Sequence, residues 1–422
     1  MKKFKSGVKA AALSVAAVAL AACGSQSTSS NTTTQIATEV KEATTITFWH
    51  AMQGPHEKAL TKLTEDFMKA NPNVKVELQN QSSYKDLQAK LNATFTSKQN
   101  LPTISQAYPS WLFDAAQSDL LVDLDPYIKN DKIGLKENAP LASLMKGAQI
   151  QDKQYGIPFN KSTEVLFYNK DLFEKYGVKV PTTMDEFKEV AKTIFEKSNG
   201  EVVGAGFDSL NNYYAIAMKN EGVDFNSSLD FSSEKSQKVV NFYAEGVKEG
   251  YFRIAGSDKF LSGPFANQKL AMYIGSSAGE SHVAKPASEK GFTYGVAARP
   301  AKINLQQGTD VYMFSSASEA QRTAAYLYMK FLASADSQLY WAQQTGYMPI
   351  VESVLKSDAY KNSTTKVPAI LDETTKELFS IPAVQNSDAA YTEVRTIMEQ
   401  ILATGTADFA ALKAQLSQVW SK

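Results

Sequence analysis

Cysteine and histidine are nearly absent from this chain. Its 422 residues include one cysteine, Cys23, and three histidines, His50, His56 and His282. A single thiol near the start excludes disulfides within the chain, thiol catalysis in the folded part and cysteine-based zinc sites. His50 and His56 have no cysteine to join them as ligands, so no metal site is expected. No GxSxG, HExxH or phosphate-loop lysine motif occurs, and each of those chemistries needs its own residue spacing. Acid pairs such as Glu65-Asp66 and Asp123/Asp125 read as solvated faces or turn caps rather than catalytic dyads. No cofactor and no enzyme activity are expected. Past the first residues there is no apolar run of about 18 residues, the length a membrane span requires. Charge of one sign is lacking too, with 44 basic and 44 acidic side chains, so nucleic-acid or anionic-lipid binding finds no support.

What is present begins with an address. "MKKFKSGVKAAALSVAAVALAACGS" carries four lysines and no acid, then an Ala/Val/Leu run that stops at Cys23. Such a run is too short to remain in a bilayer and reads as a secretory signal. Leu20-Ala21-Ala22-Cys23 looks like a bacterial lipobox, so residues 1–22 are expected to be removed and Cys23 to be acylated. Each buried methylene contributes about 0.8 kcal/mol, and two or more chains anchor stably. The mature chain is therefore expected on the outer face of the cytoplasmic membrane, lipid-anchored, in a cell of Gram-positive type. Residues 23–43, rich in Ser, Thr and Asn and without aromatics, cannot bury enough apolar surface to fold and are expected to form a flexible stalk.

From residue 44 the pattern alternates. "TTITFWH" reads as a strand start. "PHEKALTKLTEDFMKAN" puts Leu60, Leu63, Phe67 and Met68 on one helical face, and "VKVEL" alternates as a strand does. "YKDLQAKLNATF" and "LPTISQAY" add a helix and a strand. This β-α-β-α-β order predicts parallel strands joined by right-handed crossovers. Ligands in such sheets sit outside the carboxyl ends of the strands. Three successive segments there carry aromatics, Phe48-Trp49-His50, Ser82-Ser83-Tyr84 and Tyr108-Pro109-Ser110-Trp111. Trp49, Tyr84 and Trp111 are therefore candidates for the wall of a cleft.

A second α/β region follows. Val165-Leu166-Phe167-Tyr168 is an apolar strand, and Thr182 or Thr183 caps a helix bearing Phe187, Val190, Ala191 and Ile194. "KLAMYIGSSAGE" is a strand that ends at Gly275-Ser276-Ser277. "GFTYGVAARP" and "DVYMFSSAS" are extended, a helix covers 319–333, and two amphipathic helices close the chain from Tyr391. The folded length is long for one core and predicts two domains.

Four stretches, "FWHAMQG", "PFNKSTEVLFYNKDLFEKYG", "AMYIGSS" and "QTGYMPI", occur in an order that resembles the extracellular solute-binding proteins of ABC importers. The similarity is to their carbohydrate branch, which contains glycerol-3-phosphate-binding and maltodextrin-binding proteins. The resemblance implies a two-lobed type II periplasmic-binding-protein fold, each lobe a mostly parallel α/β sheet flanked by helices, with a hinge. It implies a first lobe of residues 44–158 plus about 313–342 and a second of 159–312 plus about 343–422. It further implies ligand contacts at Tyr84, Ser162, Ser276 or Ser277, Gly308 with Asp310 beside it, and Tyr347. Pro109 stands where the glycerol-3-phosphate binders have a glutamate, and Ser387 where they have a phosphate-binding arginine; Arg395 matches a different, helical arginine. Tyr391 matches an aromatic of the maltodextrin binders. Lys161 is the one cation near the matched segments, and its replacement by alanine is expected to cost little affinity. The expected function is capture of a carbohydrate, an oligosaccharide, by a monomer that delivers it to two permease subunits driven by a cytoplasmic ATPase. Glycerol-3-phosphate or a glycerophosphodiester is the alternative ligand; a surface glycoside hydrolase or adhesin is the remote alternative.

Overall fold

A computed structural model describes residues 36–136 and 139–422. The expected signal, Cys23 and the first part of the stalk lie outside the described residues. Residues 36–43, expected as the end of a flexible stalk, lie against the fold instead. Ile36 and Val40 pack on a core cluster, the Thr323 hydroxyl donates to the Ala37 carbonyl at 3.2 Å, and Asn73 Nδ2 donates to the Val40 carbonyl at 3.1 Å. Two apolar side chains spaced one helical turn apart in an otherwise polar stretch suffice for that docking.

The main strands are β1 (Thr44–His50), β2 (Val74–Asn80), β3 (Ile104–Ala107), β4 (Gly156–Ser162), β5 (Glu164–Asn169), β6 (Ala205–Phe207), β7 (Phe252–Ile254), β8 (Met272–Ser276), β9 (Tyr294–Ala298) and β10 (Gln307–Met313). They form two five-stranded sheets, β2-β1-β3-β10-β4 and β9-β5-β8-β6-β7. In the first, β1 is parallel to β2 and β3, as the β-α-β-α-β reading predicts, while β10 runs antiparallel to both β3 and β4. In the second, β8, β6 and β7 are parallel and β5 is antiparallel to β8 and β9.

Pleat direction sorts the side chains of each strand between two layers. Ile46 and Phe48 of β1 face the layer of Leu60, Leu63 and Phe67, whereas Trp49 faces that of Leu87 and Leu91. Val311 and Met313 of β10 join the first layer, and Tyr312 the second. The second lobe repeats this, with Leu166 in one layer and Val165 and Phe167 in the other. Its outer layer includes Ala390, Val394, Ile397 and Ile401 of the helix Ser387–Thr404. Each fully buried aliphatic or aromatic side chain contributes about 1.5–3 kcal/mol. The helix Met184–Lys197 starts at Thr183, the second of the two expected caps, in a capping box with Glu186. Tyr347, Met348, Ile350, Val351, Val354, Tyr360, Val367 and Leu371, expected in the second lobe, pack instead in the first-lobe core around Trp341. Their apolar side chains fill the face of the helix Ala335–Thr345, to which they are joined by one turn.

The chain passes between the sheets along three adjacent segments. Thr163 alone separates β4 from β5, and its hydroxyl donates to the Leu305 carbonyl at 2.9 Å. Gln306 leads from the two-residue strand Asn304–Leu305 into β10, and its N–H donates to the Phe379 carbonyl at 2.8 Å. Residues Leu378–Phe379 run parallel to Asn304–Leu305 as the third.

Next to this junction, Lys161 Nζ lies 2.7 Å from Asp310 Oδ1 and 3.0 Å from the Gly308 carbonyl, with both side chains at most 2% exposed. Lys161 is thus a cross-strand tie between β4 and β10 rather than a cation at a ligand, and Asp310 is committed to it. Removing one member of a buried pair leaves the other charge uncompensated, at a cost of about 3–5 kcal/mol. Lys161→Ala is therefore expected to lower urea-unfolding stability by about that amount, and the Lys161→Met/Asp310→Leu double variant to recover most of it. Equal stability of wild type and Lys161→Ala would contradict the pairing.

Candidate functional site

The first-lobe side of the cleft is aromatic. The Ser83 hydroxyl accepts from the Asp86 N–H at 3.1 Å and so starts the helix Tyr84–Thr94, placing Tyr84 at the carboxyl edge of the sheet. Pro109–Leu112 form one 3-10 turn after β3 that presents Tyr108 and Trp111 beside it. Ring centroids lie 5.9 Å apart for Tyr84 and Tyr108, 6.2 Å for Tyr84 and Trp111, and 5.1 Å for Tyr108 and Trp111. These tilted contacts are favourable for aromatic rings. Asn160 Nδ2 donates to the Tyr84 hydroxyl at 2.8 Å, and the Tyr347 hydroxyl is 3.3 Å from it. Tyr347 stacks on Trp341 at 5.6 Å and 12°. Burial, then the neighbouring Tyr347 and Tyr108, push the Tyr84 hydroxyl well above its usual pKa, so it stays a neutral donor and acceptor. Gly308 has φ +84, and a Cβ there would lie 1.9 Å from the Asn160 carbonyl oxygen. Only glycine fits that approach.

The second-lobe side is polar. Tyr391 donates to Asn212 Oδ1, and Asn212 Nδ2 donates to Glu164 Oε1 at 3.0 Å. Glu164 also accepts from Arg299 Nε at 3.1 Å and Gln307 Nε2 at 3.3 Å. Glu164 and Arg299 are both buried; burial pushes the carboxyl up, opposed by the guanidinium beside it. Asp208, just past β6, accepts from the Leu261 N–H at 2.6 Å, and a Cβ on Gly275 would come within 2.4 Å of its carboxylate. Burial, with Glu164 adding to it, pushes the Asp208 carboxyl up to about 7.

The lobes meet across this cleft. Asp388, in the first turn of the helix Ser387–Thr404, accepts from Gln88 Nε2. On the other side of the crossing segments the Ser281 hydroxyl is 3.4 Å from His56 Nε2, and the His56 and His282 rings are 5.6 Å apart. Burial lowers the His56 pKa to about 4, so it is neutral here.

Of the residues singled out from the sequence, Tyr84, Trp111, Tyr347 and Tyr391 come together around the cleft. Ser162 pairs with Gln307 at the crossing, Ser277 donates its N–H to the Thr163 carbonyl at 2.8 Å, and the Ser276 hydroxyl accepts from the Ala278 N–H at 3.3 Å. Trp49 is not brought to this group. β1 continues through His50, so the pleat turns Trp49 inward, where it is 5% exposed with its indole N–H on Gln79 Oε1 at 2.8 Å. Sequence reasoning missed Asn160, Glu164, Asp208, Asn212, Arg299, Gln307 and Asp388. Only their positions at strand ends and crossings distinguish them from other polar residues, and those positions depend on the strand order.

Two α/β lobes joined by three crossing segments, with a polar and aromatic cleft between them, define a type II periplasmic-binding-protein fold. Solved structures agree. The GacH receptor of Streptomyces glaucescens aligns with a TM-score of 0.78 at 20% identity over 89% of this chain and 97% of that one. UgpB from Mycobacterium tuberculosis in complex with glycerophosphocholine aligns at 0.78 and 20% over 90% and 98%. A Listeria monocytogenes ABC substrate-binding protein in complex with cycloalternan aligns at 0.76 and 20% over 90% and 98%. By sequence, the chain is 26% identical to the sn-glycerol-3-phosphate-binding periplasmic protein of Escherichia coli K12 over 364 residues, 80% of this chain and 81% of that protein. Residues 62–369 match the bacterial extracellular solute-binding protein family, and the chain belongs to it. It is the solute-binding component of an ABC importer, a role that the family carries out in the periplasm or outside the cell.

Asp208 yields a pH test. Its folded pKa of about 7 lies above the ordinary value of 3.8, so ionising it opposes folding. That opposition is absent below pH ~4, builds up as pH rises from ~4 to ~7, is complete above that, and is of order 1–3 kcal/mol for a side chain only partly withdrawn from solvent. Asp208→Asn, which can still accept from the Leu261 N–H, is expected to melt above wild type at pH 8 and with it at pH 4. A melting difference independent of pH would contradict this.

Proposed function

We propose that the cleft captures an uncharged, polyhydroxylated solute, an oligosaccharide, and that closure of the lobes presents it to two permease subunits driven by a cytoplasmic ATPase. The observation that carries this reading is that the two buried cations beside the cleft are already used. Lys161 is held by Asp310, and Arg299 by Glu164. A phosphate enclosed between lobes needs a charge-assisted donor, because an unpaired buried charge is costly. Here it would meet the carboxylates of Asp208 and Asp388 instead. A sugar suits the same surface, since Tyr84, Tyr108, Trp111 and Tyr391 offer flat apolar faces and Asn160, Asn212, Gln307 and Asp208 offer hydrogen-bonding groups for hydroxyls. The Ser162, Ser276, Ser277 and Gly308 segments form the floor of that site, with Tyr347 at its side. The protein acts as a monomer and turns nothing over.

Glycerol-3-phosphate or a glycerophosphodiester is the second reading, favoured by what the Escherichia coli and Mycobacterium tuberculosis relatives are named for binding. Isothermal titration of neutral oligosaccharides beside glycerol-3-phosphate and glycerophosphocholine decides between them. The expected result is saturable binding of a neutral oligosaccharide, weakened about tenfold by Trp111→Ala, equivalent to about 1.4 kcal/mol, with little change in melting temperature. Binding confined to the phosphates, or a Trp111→Ala variant that unfolds while keeping its affinity, would contradict it.

The address is also part of this proposal, with Cys23 carrying the lipid anchor on the outer face of a Gram-positive cytoplasmic membrane. Cys23→Ala is expected to move the protein from the membrane fraction to the medium; membrane retention of that variant would contradict the anchor.

A further inference from the structure

We propose that Asp388 is a positioning residue that latches the second lobe onto the first through Gln88; this rests on the reading of the cleft as the solute site and adds to it how the cleft is held shut. The carboxylate stands on a rigid element. The helix Ser387–Thr404 is bound into the second lobe by buried Ala390, Val394, Ile397 and Ile401. At its start, Asn386 makes no side-chain cap. An acid in the first turn of a helix commonly turns back to the free N–H groups there. Asp388 instead reaches out to the other lobe.

Its donor belongs to a first-lobe element. Gln88 lies half-buried in the helix Tyr84–Thr94, next to the buried Leu87, and the 3-10 turn Pro109–Leu112 lies beside the helix Ser387–Thr404. One carboxylate therefore ties the second lobe to the element that carries Tyr84. Hydrogen bonds to a carboxylate are roughly twice as strong as neutral ones. When the lobes part, Gln88 has no other protein acceptor among the described contacts and returns to water. The bond exists only in the closed arrangement, which is what lets it shift an open–closed equilibrium.

The chemistry is distinct from ligand binding, so it can be tested without any ligand. In a full-length Cys23→Ala background, dyes are attached at Glu65→Cys on the first lobe and Ser417→Cys on the second, both exposed. Single-molecule energy transfer then gives the closed-to-open ratio for the protein alone. Asp388→Ala and Gln88→Ala are each expected to lower that ratio, Asp388→Ala by about tenfold. The double variant is expected to fall no further than Asp388→Ala, because Gln88 has lost its acceptor there. Asp388→Asn, which keeps one acceptor oxygen, is expected to lie between wild type and Asp388→Ala. An unchanged ratio in Asp388→Ala, additive losses in the double variant, or a wild type with no closed population in the absence of ligand would each overturn the latch. If Asp388→Ala fails to fold, Asp388→Asn and Gln88→Ala supply the same comparison. Failure of every oligosaccharide to bind would end the proposed function and leave this ratio readable, so the two failures are distinguishable.

Discussion

One residue, Thr163, separates a strand of one sheet from a strand of the other. Its hydroxyl on the Leu305 carbonyl binds the first crossing to the second, and the Gln306 N–H on the Phe379 carbonyl binds the second to the third. Three backbone segments joined edge to edge resist sliding and twisting but leave bending about their common line comparatively soft. Relative motion of the lobes is thereby confined to a hinge. The same constraint locates the cleft, because the residues flanking the crossings, Ser162, Glu164 and Gln307, become its floor. Hinge and floor are made by the same residues, so on the proposed function the solute rests where closure brings both lobes to it.

Charge is handled at this junction before any solute arrives. Lys161 and Arg299 flank the first two crossings, each buried against its own carboxylate. Such pairs contribute modestly to net stability but are costly to break, which keeps their partners in fixed places. The consequence is a cleft whose remaining groups are hydroxyls, amides, aromatic faces and two carboxylates without a lysine or arginine in salt-bridge contact among the described residues. On the proposed function, selectivity against anions rests on what is already neutralised rather than on any added repulsive device.

The first lobe was largely legible in the sequence because its signals are local. The periodicity of Leu60, Leu63 and Phe67, the alternation of Val74 and Val76, and the Ser83 cap gave strand, helix and order together. Tyr84 and Trp111 could be placed at a strand edge for the same reason. Trp49 could not, since whether β1 ends before or after it decides which way the ring points, and a one-residue difference reverses the face. Lys161 misled because a lysine beside matched segments looks available until its partner, Asp310, is seen to lie across a strand pair with most of the second lobe between them in sequence. Asp208, Arg299 and Asp388 are ordinary surface letters in a linear reading; only the three-dimensional return of the chain gives them roles. The segment from Tyr347 to Leu371 was assigned by likeness to the wrong lobe, although its run of apolar residues directly after a buried helix pointed to the first-lobe core.

The account stands on a hinge that closes over an uncharged polyhydroxylated solute, and small-angle X-ray scattering reads that event directly. A neutral oligosaccharide at saturation is expected to reduce the radius of gyration and move the scattering curve toward that calculated for the closed arrangement described above, while glycerol-3-phosphate leaves the curve of the free protein unchanged. Compaction by glycerol-3-phosphate with no response to any neutral oligosaccharide would contradict the account.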